Sequence, residues 1–296
     1  MIKLVITDLD NTIYDWVDFY VPSFNAMVRE LSVLTGLDEP SLRQSFKRVH
    51  QAHRTSEYAF SIEELDVLAE ADRGLTTREI LAKYATAIDA FRRTRAATLR
   101  LYPGVKETIE DLRGQGKKIV GHTDAMMFYA AYRVKQLGIE RLFDGLVAPR
   151  DHGIPEGVSL EDVRSSDDPE RYVSAVPVAD ELNSATVKPD PIILRKILND
   201  FGVSPEEAVY VGDSLHKDIH MAQSCGVYDV FARYGRNYNP QYYRQLVEIT
   251  HWTDEDVERE LKLKGLNIKP TFVISSFPEL KTVIDAIGLE RRRRRA

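Results

Sequence analysis

The stretch Lys3-Leu4-Val5-Ile6-Thr7-Asp8-Leu9-Asp10-Asn11-Thr12 carries a short apolar run straight into an acidic loop. In extended backbone, side chains two apart share a face, so Asp8 and Asp10 would point together into the space beyond the strand's carboxyl end. Open α/β sheets bind ligands at that edge. Further strand-like runs follow at Lys118–Thr123, Gly145–Ala148, Ala208–Val211, Tyr228–Phe231 and Thr271–Ile274. Helix-like stretches at Val105–Gln115, Tyr129–Leu137, Pro191–Phe201 and Ile219–Ser224 separate most of them. This alternation predicts an α/β fold, a Rossmann-like parallel sheet with helices on both faces.

Over 100 residues separate the first two strands, far more than one crossover helix needs. Residues 14–101 show apolar spacings of three and four, as in Phe24, Val28 and Leu31 or Ile80, Tyr84 and Ile88, and predict an inserted all-helical cap. The core is then discontinuous, 1–13 and 102–296, with two further insertions within it. Residues 151–187 carry nine acidic and two basic side chains with little periodicity and are expected to form a long, partly mobile surface excursion. Residues 235–269 begin with a Tyr-rich turn, Tyr238–Tyr243 being a candidate contact surface, and continue into a helix-like Asp254–Lys264. Arg291–Arg295 read as a disordered tail.

With 296 residues, 43% hydrophobic and 29% charged, the chain has the balance of a globular protein with a sizeable core. No apolar run approaches the roughly 18 residues of a membrane span. A net charge of −6 implies no general nucleic-acid-binding surface. The single Cys225 cannot form an internal disulfide and is expected in the core, and only Ile2 to Ile6 stand before the acidic loop, too little for the apolar region of a secretory signal. The expected setting is a reducing cytoplasm, with neither a nucleic acid nor a membrane as partner and with the oligomeric state unread.

Three more motifs are placed at the same sheet edge. Gly121-His122-Thr123-Asp124 closes the second strand with a hydroxyl, and Lys188-Pro189-Asp190-Pro191 sets a lysine at a helix entry. Val209-Tyr210-Val211-Gly212-Asp213-Ser214, followed by Asp218, closes another strand, Gly212 being read as permitting a tight turn. Asp8, Asp10, Asp213 and Asp218 would repel one another strongly if they converged alone. Lys188 and a hard, oxygen-seeking cation such as Mg²⁺ would resolve that repulsion. By themselves Asp8 and Asp10 leave two readings open: nucleophile and general acid or metal site, against a plain turn or helix cap.

Taken in order, Asp8-x-Asp10-x-Thr12, Thr123, Lys188 and Gly212-Asp213-x₄-Asp218 resemble the four motifs of the haloacid dehalogenase superfamily of phosphohydrolases. The likeness covers about Met1–Tyr14 and Leu101–Ile287, includes Tyr102-Pro103-Gly104-Val105, and leaves the helical insertion where that family carries a cap. It implies Mg²⁺-dependent hydrolysis of a small phosphorylated metabolite through an aspartyl-phosphate. Asp8 would be the nucleophile, and Asp10 would protonate the leaving alcohol and then activate water. Thr123 and Lys188 would bind phosphoryl oxygens. Asp8, Asp213 and the backbone carbonyl of Asp10 would hold Mg²⁺, with Asp218 as a ligand or support, while Thr12 braces the loop. A phosphomutase passing the same intermediate to a sugar hydroxyl and a non-catalytic binding or regulatory protein are the alternatives.

Asp124 departs from the neutral residue that many relatives carry after the second motif. Its carboxylate would repel phosphate unless turned away or paired, so it stays outside the catalytic set, and His122 is read as structural. In the helical insertion, Lys47, His50, His53, Arg54 and Tyr58 form a basic and aromatic cluster. A solvated helix face is the default for it, and Arg54 and Tyr58 are the candidates for reading the rest of the substrate.

Overall fold

The computed structural model describes residues 1–156, 158–159, 174–182, 187–252 and 268–295. Seven parallel strands form one sheet: β1 (Leu4–Thr7), β2 (Lys118–His122), β3 (Gly145–Pro149), β4 (Val178–Leu182), β5 (Ala208–Gly212), β6 (Tyr228–Ala232) and β7 (Phe272–Ile274). Their order is β4-β3-β2-β1-β5-β6-β7. The chain builds outward from β1 to β4, then crosses back to place β5 on the other side of β1. The strand order therefore reverses at β1, and the carboxyl ends of β1, β2 and β5 frame the crevice where such sheets take ligands.

Alternating side chains of β1 serve two cores. Leu4 and Ile6 join Val120, Val147 and Tyr210 beneath Leu194, Ile197 and Leu198 of α7 (Pro191–Asp200) and Met221 of α8 (His220–Ser224). Val5 faces the opposite way, into a cluster with Ile119, Val209 and Val230. That second core is covered by α5 (Val105–Gly114), α6 (Met127–Gln136) and α10 (Glu279–Arg295) through Ile109, Val134, Leu280 and Ile284. Burial on both faces is why these strands read as apolar runs rather than alternating ones.

Between β1 and β2 lie α1 (Trp16–Thr35), α2 (Glu39–His53), α3 (Thr77–Lys83) and α4 (Ala85–Thr98). The Asp15 carboxylate caps α1 by accepting from the Asp18 N–H at 2.9 Å, and Gly36 ends it at φ 72. The chain enters and leaves this helical layer side by side: Tyr14 pairs with Leu101, and the Tyr102 N–H donates to the Ile13 carbonyl at 3.0 Å.

Four expectations change. First, residues 151–187 contain β4, an edge strand parallel to β3, with buried Val176 shortly before it and buried Leu182 at its end. An average over acidic composition conceals a short strand. The rest of that segment, at 157, 160–173 and 183–186, lies outside the described residues, as does Asp254–Lys264. Second, the Tyr-rich segment also takes part in packing within the chain, its tyrosines remaining half-buried. Tyr238 stacks on Tyr243 at 4.6 Å, and α9 (Pro240–Ile249) packs against α1 and α2. Third, Arg291–Arg295 continue α10, whose buried Leu280, Ile284 and Ile287 carry the helix into a run of good helix formers. Fourth, Lys47 and His50 face α9 rather than solvent: the Lys47 Nζ donates to the Val247 carbonyl at 3.4 Å, and His50 Nδ1 lies 2.5 Å from the Ile249 carbonyl oxygen. Cys225 is buried as expected.

After β6 a 3₁₀ turn, Arg233–Arg236, is pressed onto the loop that follows β1. The Tyr234 hydroxyl donates to the Thr12 carbonyl at 2.6 Å. A Cβ on Gly235 would fall inside contact distance of the Asn11 carbonyl oxygen and 2.8 Å from the Asp213 Cβ. Gly235→Ala should therefore lose about 1–3 kcal/mol of stability by overpacking backbone that cannot yield. Denaturant unfolding with an unchanged midpoint would show that the loop gives way freely.

Candidate active site

Asp8 sits one residue past β1, its N–H extending the ladder to the Val211 carbonyl at 2.9 Å. The loop then turns sharply: the Thr12 and Ile13 N–H groups both donate to the Leu9 carbonyl, and Asn11 adopts φ 60, which Asn tolerates. This turn brings the Thr12 hydroxyl back to donate to Asp8 Oδ2 at 2.9 Å, so Thr12 does brace the loop. The other Asp8 oxygen accepts from Lys188 Nζ at 2.5 Å. The same ammonium donates to Asp218 Oδ1 at 2.7 Å, and all three residues are buried.

Asp218 is held from three sides. Besides Lys188, the Tyr210 hydroxyl donates to its Oδ1 at 3.3 Å, and the Ser214 N–H donates to its Oδ2 at 3.0 Å. Gly212 owes its place to this carboxylate: φ there is not positive, but a Cβ would come within 2.6 Å of the Asp218 Cβ. Close approach, not a tight turn, is what demands glycine. Asp213 follows directly, and carboxylate oxygens of Asp8, Asp213 and Asp218 lie within 4.8 Å of one another.

Asp8 and Asp218 thus share one lysine, with Asp213 beside them. Burial and the Asp218 charge push the Asp8 carboxyl up to about 7 even against the pull of Lys188. Burial, Asp8 and Asp218 hold the Asp213 carboxyl well above its usual range. Burial acts against the Lys188 ammonium, yet Asp218 and Asp8 outweigh it and raise its pKa. An oxygen-only donor set with surplus negative charge fits a hard divalent cation.

Asp10 does not join this cluster. Its Oδ1 accepts from Arg133 Nη1 at 3.1 Å, and the other Arg133 Nη donates to Glu57 of the helical layer. Burial disfavours the guanidinium, but Glu57, Tyr14 and Asp10 together keep it firmly charged. The expected convergence of four carboxylates is therefore three plus a separately paired Asp10, because a buried arginine competes for it.

Thr123 lies buried at the end of β2, and its hydroxyl accepts from the Ala125 N–H at 3.1 Å. Asp124 is paired: it accepts from the Lys188 N–H and from Lys217 Nζ, each at 2.8 Å. Burial would raise its carboxyl, but Lys217 and Lys188 hold it down to about 2. His122 contacts the Tyr210 hydroxyl through Nδ1 at 3.2 Å, and burial pushes its pKa down to about 3. Tyr58 stacks on His53 at 3.6 Å and donates to Glu64 at 2.7 Å; it lines a cavity in the helical layer, whose lining does not include the exposed Arg54.

The family described as haloacid dehalogenase-like hydrolase matches residues 2–226, and a second, HAD-hydrolase-like, matches 186–280. The chain belongs to the haloacid dehalogenase-like hydrolases. It is 27% identical over 240 residues to a glyceraldehyde 3-phosphate phosphatase of Methanopyrus kandleri, covering 80% of this chain and 86% of that one. With a phosphoglycolate phosphatase of Pseudomonas putida it shares 26% over 239 residues, covering 80% and 71%. The crystal structure of a predicted phosphoglycolate phosphatase from Haemophilus somnus superposes with a TM-score of 0.52 at 19% identity, covering 96% of this chain and 98% of that one.

Arg133 and Glu57 are the residues of this hydrolase that motif reading missed. One signal was available: Arg133 falls on the apolar stripe of α6, one turn from Ala130 and Leu137, where a charged side chain needs a partner. Arg133→Leu strands two carboxylates and should cost about 3–5 kcal/mol in denaturant unfolding. Adding Glu57→Leu should recover part of that loss, and additive losses would show that the two do not interact.

Raised carboxyls also set a pH dependence. A group whose folded pKa is raised stabilises fully below its ordinary pKa, and that contribution is lost as pH rises through the folded value. For Asp8 the window runs from about 4 to about 7. His50 and His122, depressed to about 4 and about 3 by burial, act in the opposite sense. The comparison must therefore be with Asp8→Asn: without divalent metal, wild type should lose melting temperature relative to that variant across this window. A constant difference from pH 4 to 8 would contradict the raised Asp8 carboxyl.

Proposed function

We propose that this phosphoric monoester hydrolase is Mg²⁺-dependent, works through an aspartyl-phosphate on Asp8, and acts on small phosphorylated metabolites. The observation that carries the reading is the Lys188 ammonium seated between Asp8 and Asp218 inside a three-carboxylate cluster at the carboxyl end of the central strand.

In the first transfer an Asp8 oxygen attacks phosphorus, the ester P–O bond breaks, and Asp10 gives its proton to the departing alcohol. In the second, water attacks the same phosphorus, Asp10 takes the water's proton, and phosphate leaves with Asp8 restored. Lys188 and Thr123 bind the phosphoryl oxygens. Mg²⁺, when bound by Asp8, Asp213 and the Asp10 backbone carbonyl with Asp218 in support, would supply neutralising charge to those oxygens. Arg133 keeps Asp10 oriented without drawing it into the metal cluster.

Residues 14–101 act as the cap, closing from the paired strands at Tyr14 and Leu101 to exclude water during the first transfer. The Methanopyrus and Pseudomonas relatives are named phosphatases, which favours hydrolysis over the mutase alternative and points to small substrates. The single buried Cys225 fits a cytoplasmic setting.

A generic aryl phosphate should be hydrolysed with Mg²⁺ and spared in excess EDTA; full activity under chelation would remove the metal from the proposal. Asp8→Asn should abolish covalent labelling by a phosphate-labelled substrate, whereas Asp10→Asn should retain labelling and slow both transfers by about 10²–10⁴-fold. Label on the Asp8→Asn protein would place the nucleophile elsewhere.

A further inference from the structure

Where α1, α4 and α6 face one another, the structure leaves a partly open cavity of about 130 Å³. Rings form part of its walls: Tyr20 and Phe24 from α1, Phe91 from α4 and Tyr129 from α6. Glu57 also lines it, and Arg133 spans from Glu57 to Asp10, so the cavity begins one side chain from the residue that would protonate the leaving alcohol. A leaving group that reached past Arg133 would meet an aromatic slot rather than open water.

Arg95 gives the slot a charge. It lines the cavity, is only 9% exposed, and its Nε is buried with no acceptor among the described residues. Its guanidinium lies over the Tyr132 ring at 4.3 Å and near the Phe91 ring at 5.7 Å. Ring stacking offsets part of the cost of burying a cation but satisfies none of its N–H donors. Glu57, the nearby carboxylate, feels the Arg95 charge but takes its hydrogen bond from Arg133. A carboxylate on a bound molecule would meet the guanidinium fork, and the rings would take a flat body between that carboxylate and the phosphate.

We propose that this cavity is the leaving-group subsite and that it selects phosphomonoesters whose alcohol is a flat, aromatic body bearing a carboxylate, with Arg95 as the specificity-determining cation. The proposal rests on the phosphatase reading above and names its substrate class. A leaving group of only two or three carbons would leave the ring walls mostly uncovered.

Binding of 4-hydroxybenzoate, the alcohol that 4-carboxyphenyl phosphate would release, tests the subsite without needing turnover. Calorimetry on the full chain should show binding to wild type and to Asp8→Asn, weakened about tenfold or more in Arg95→Gln. Arg95→Lys, which keeps the charge but not the planar fork, should fall between them and carries the test if Arg95→Gln fails to melt cooperatively. In steady state, wild type should prefer 4-carboxyphenyl phosphate to phenyl phosphate by about tenfold in kcat/KM, chiefly through KM, with the preference gone in Arg95→Gln. No binding to wild type, or equal binding to the Arg95 variants, overturns the subsite. Binding at Arg95 without hydrolysis of either ester leaves the subsite standing and overturns the phosphatase reading; hydrolysis of both esters without preference or binding does the reverse.

Discussion

The buried ammonium of Lys188, 2.5 Å from Asp8 and 2.7 Å from Asp218, is the interaction around which the sheet's carboxyl edge is arranged. Neither carboxylate could stay buried and charged beside the other without it. Keeping the lysine there imposes further conditions. Asp218 must lie against the backbone of Gly212, leaving no room for a Cβ, and Asp124 must hold the Lys188 backbone while being neutralised by Lys217. Even so, the cluster of Asp8, Asp213 and Asp218 carries more negative charge than one lysine cancels. The pKa directions of Asp8 and Asp213 express that surplus as an affinity for protons, which a hard cation would satisfy better.

A second buried charge, Arg133, ties the helical layer to this edge of the sheet. Through one planar fork it joins Asp10 in the loop after β1 to Glu57 in the layer. Rotation of the layer would thus be felt directly at Asp10. α9 adds a further restraint, because it leaves the sheet domain after β6 yet packs on α1 and α2, with Asn25 donating to Gln245 at 3.0 Å and His50 against the Ile249 carbonyl. Any closure about Tyr14 and Leu101 has to carry α9 with it or slide along it. The layer is therefore tied to the rest of the chain at α9 as well as at Tyr14 and Leu101.

Much of this was decided locally. Leu4 to Thr7 form a strand because four consecutive β-suited residues can be buried on both faces, and Asp8 and Asp10 lie beyond its end for the same reason. Thr123, Lys188 and Asp213 are legible because each directly follows a strand or precedes a helix, and a parallel sheet brings all such junctions to one edge. Local reading also errs in a consistent way. The acidic composition around β4 conceals a strand whose partner, β3, lies beyond a long connection, and the polar faces of Lys47 and His50 look solvated until α9, some 200 residues later, covers them.

The sequence by itself determined six of the sheet's seven strands, the helical insertion and the motif residues, since these depend on spacing, propensity and chain order. Only the tertiary structure decided which charges meet. Asp10 pairs with Arg133, 123 residues away, and not with the other carboxylates; Glu57 completes that pair, and Asp124 is neutralised by Lys217. A charge records no partner in its own neighbourhood of the chain. Which one it finds depends on which side chains packing has removed from water with it, because only there does an unmet charge cost enough to select its neighbour.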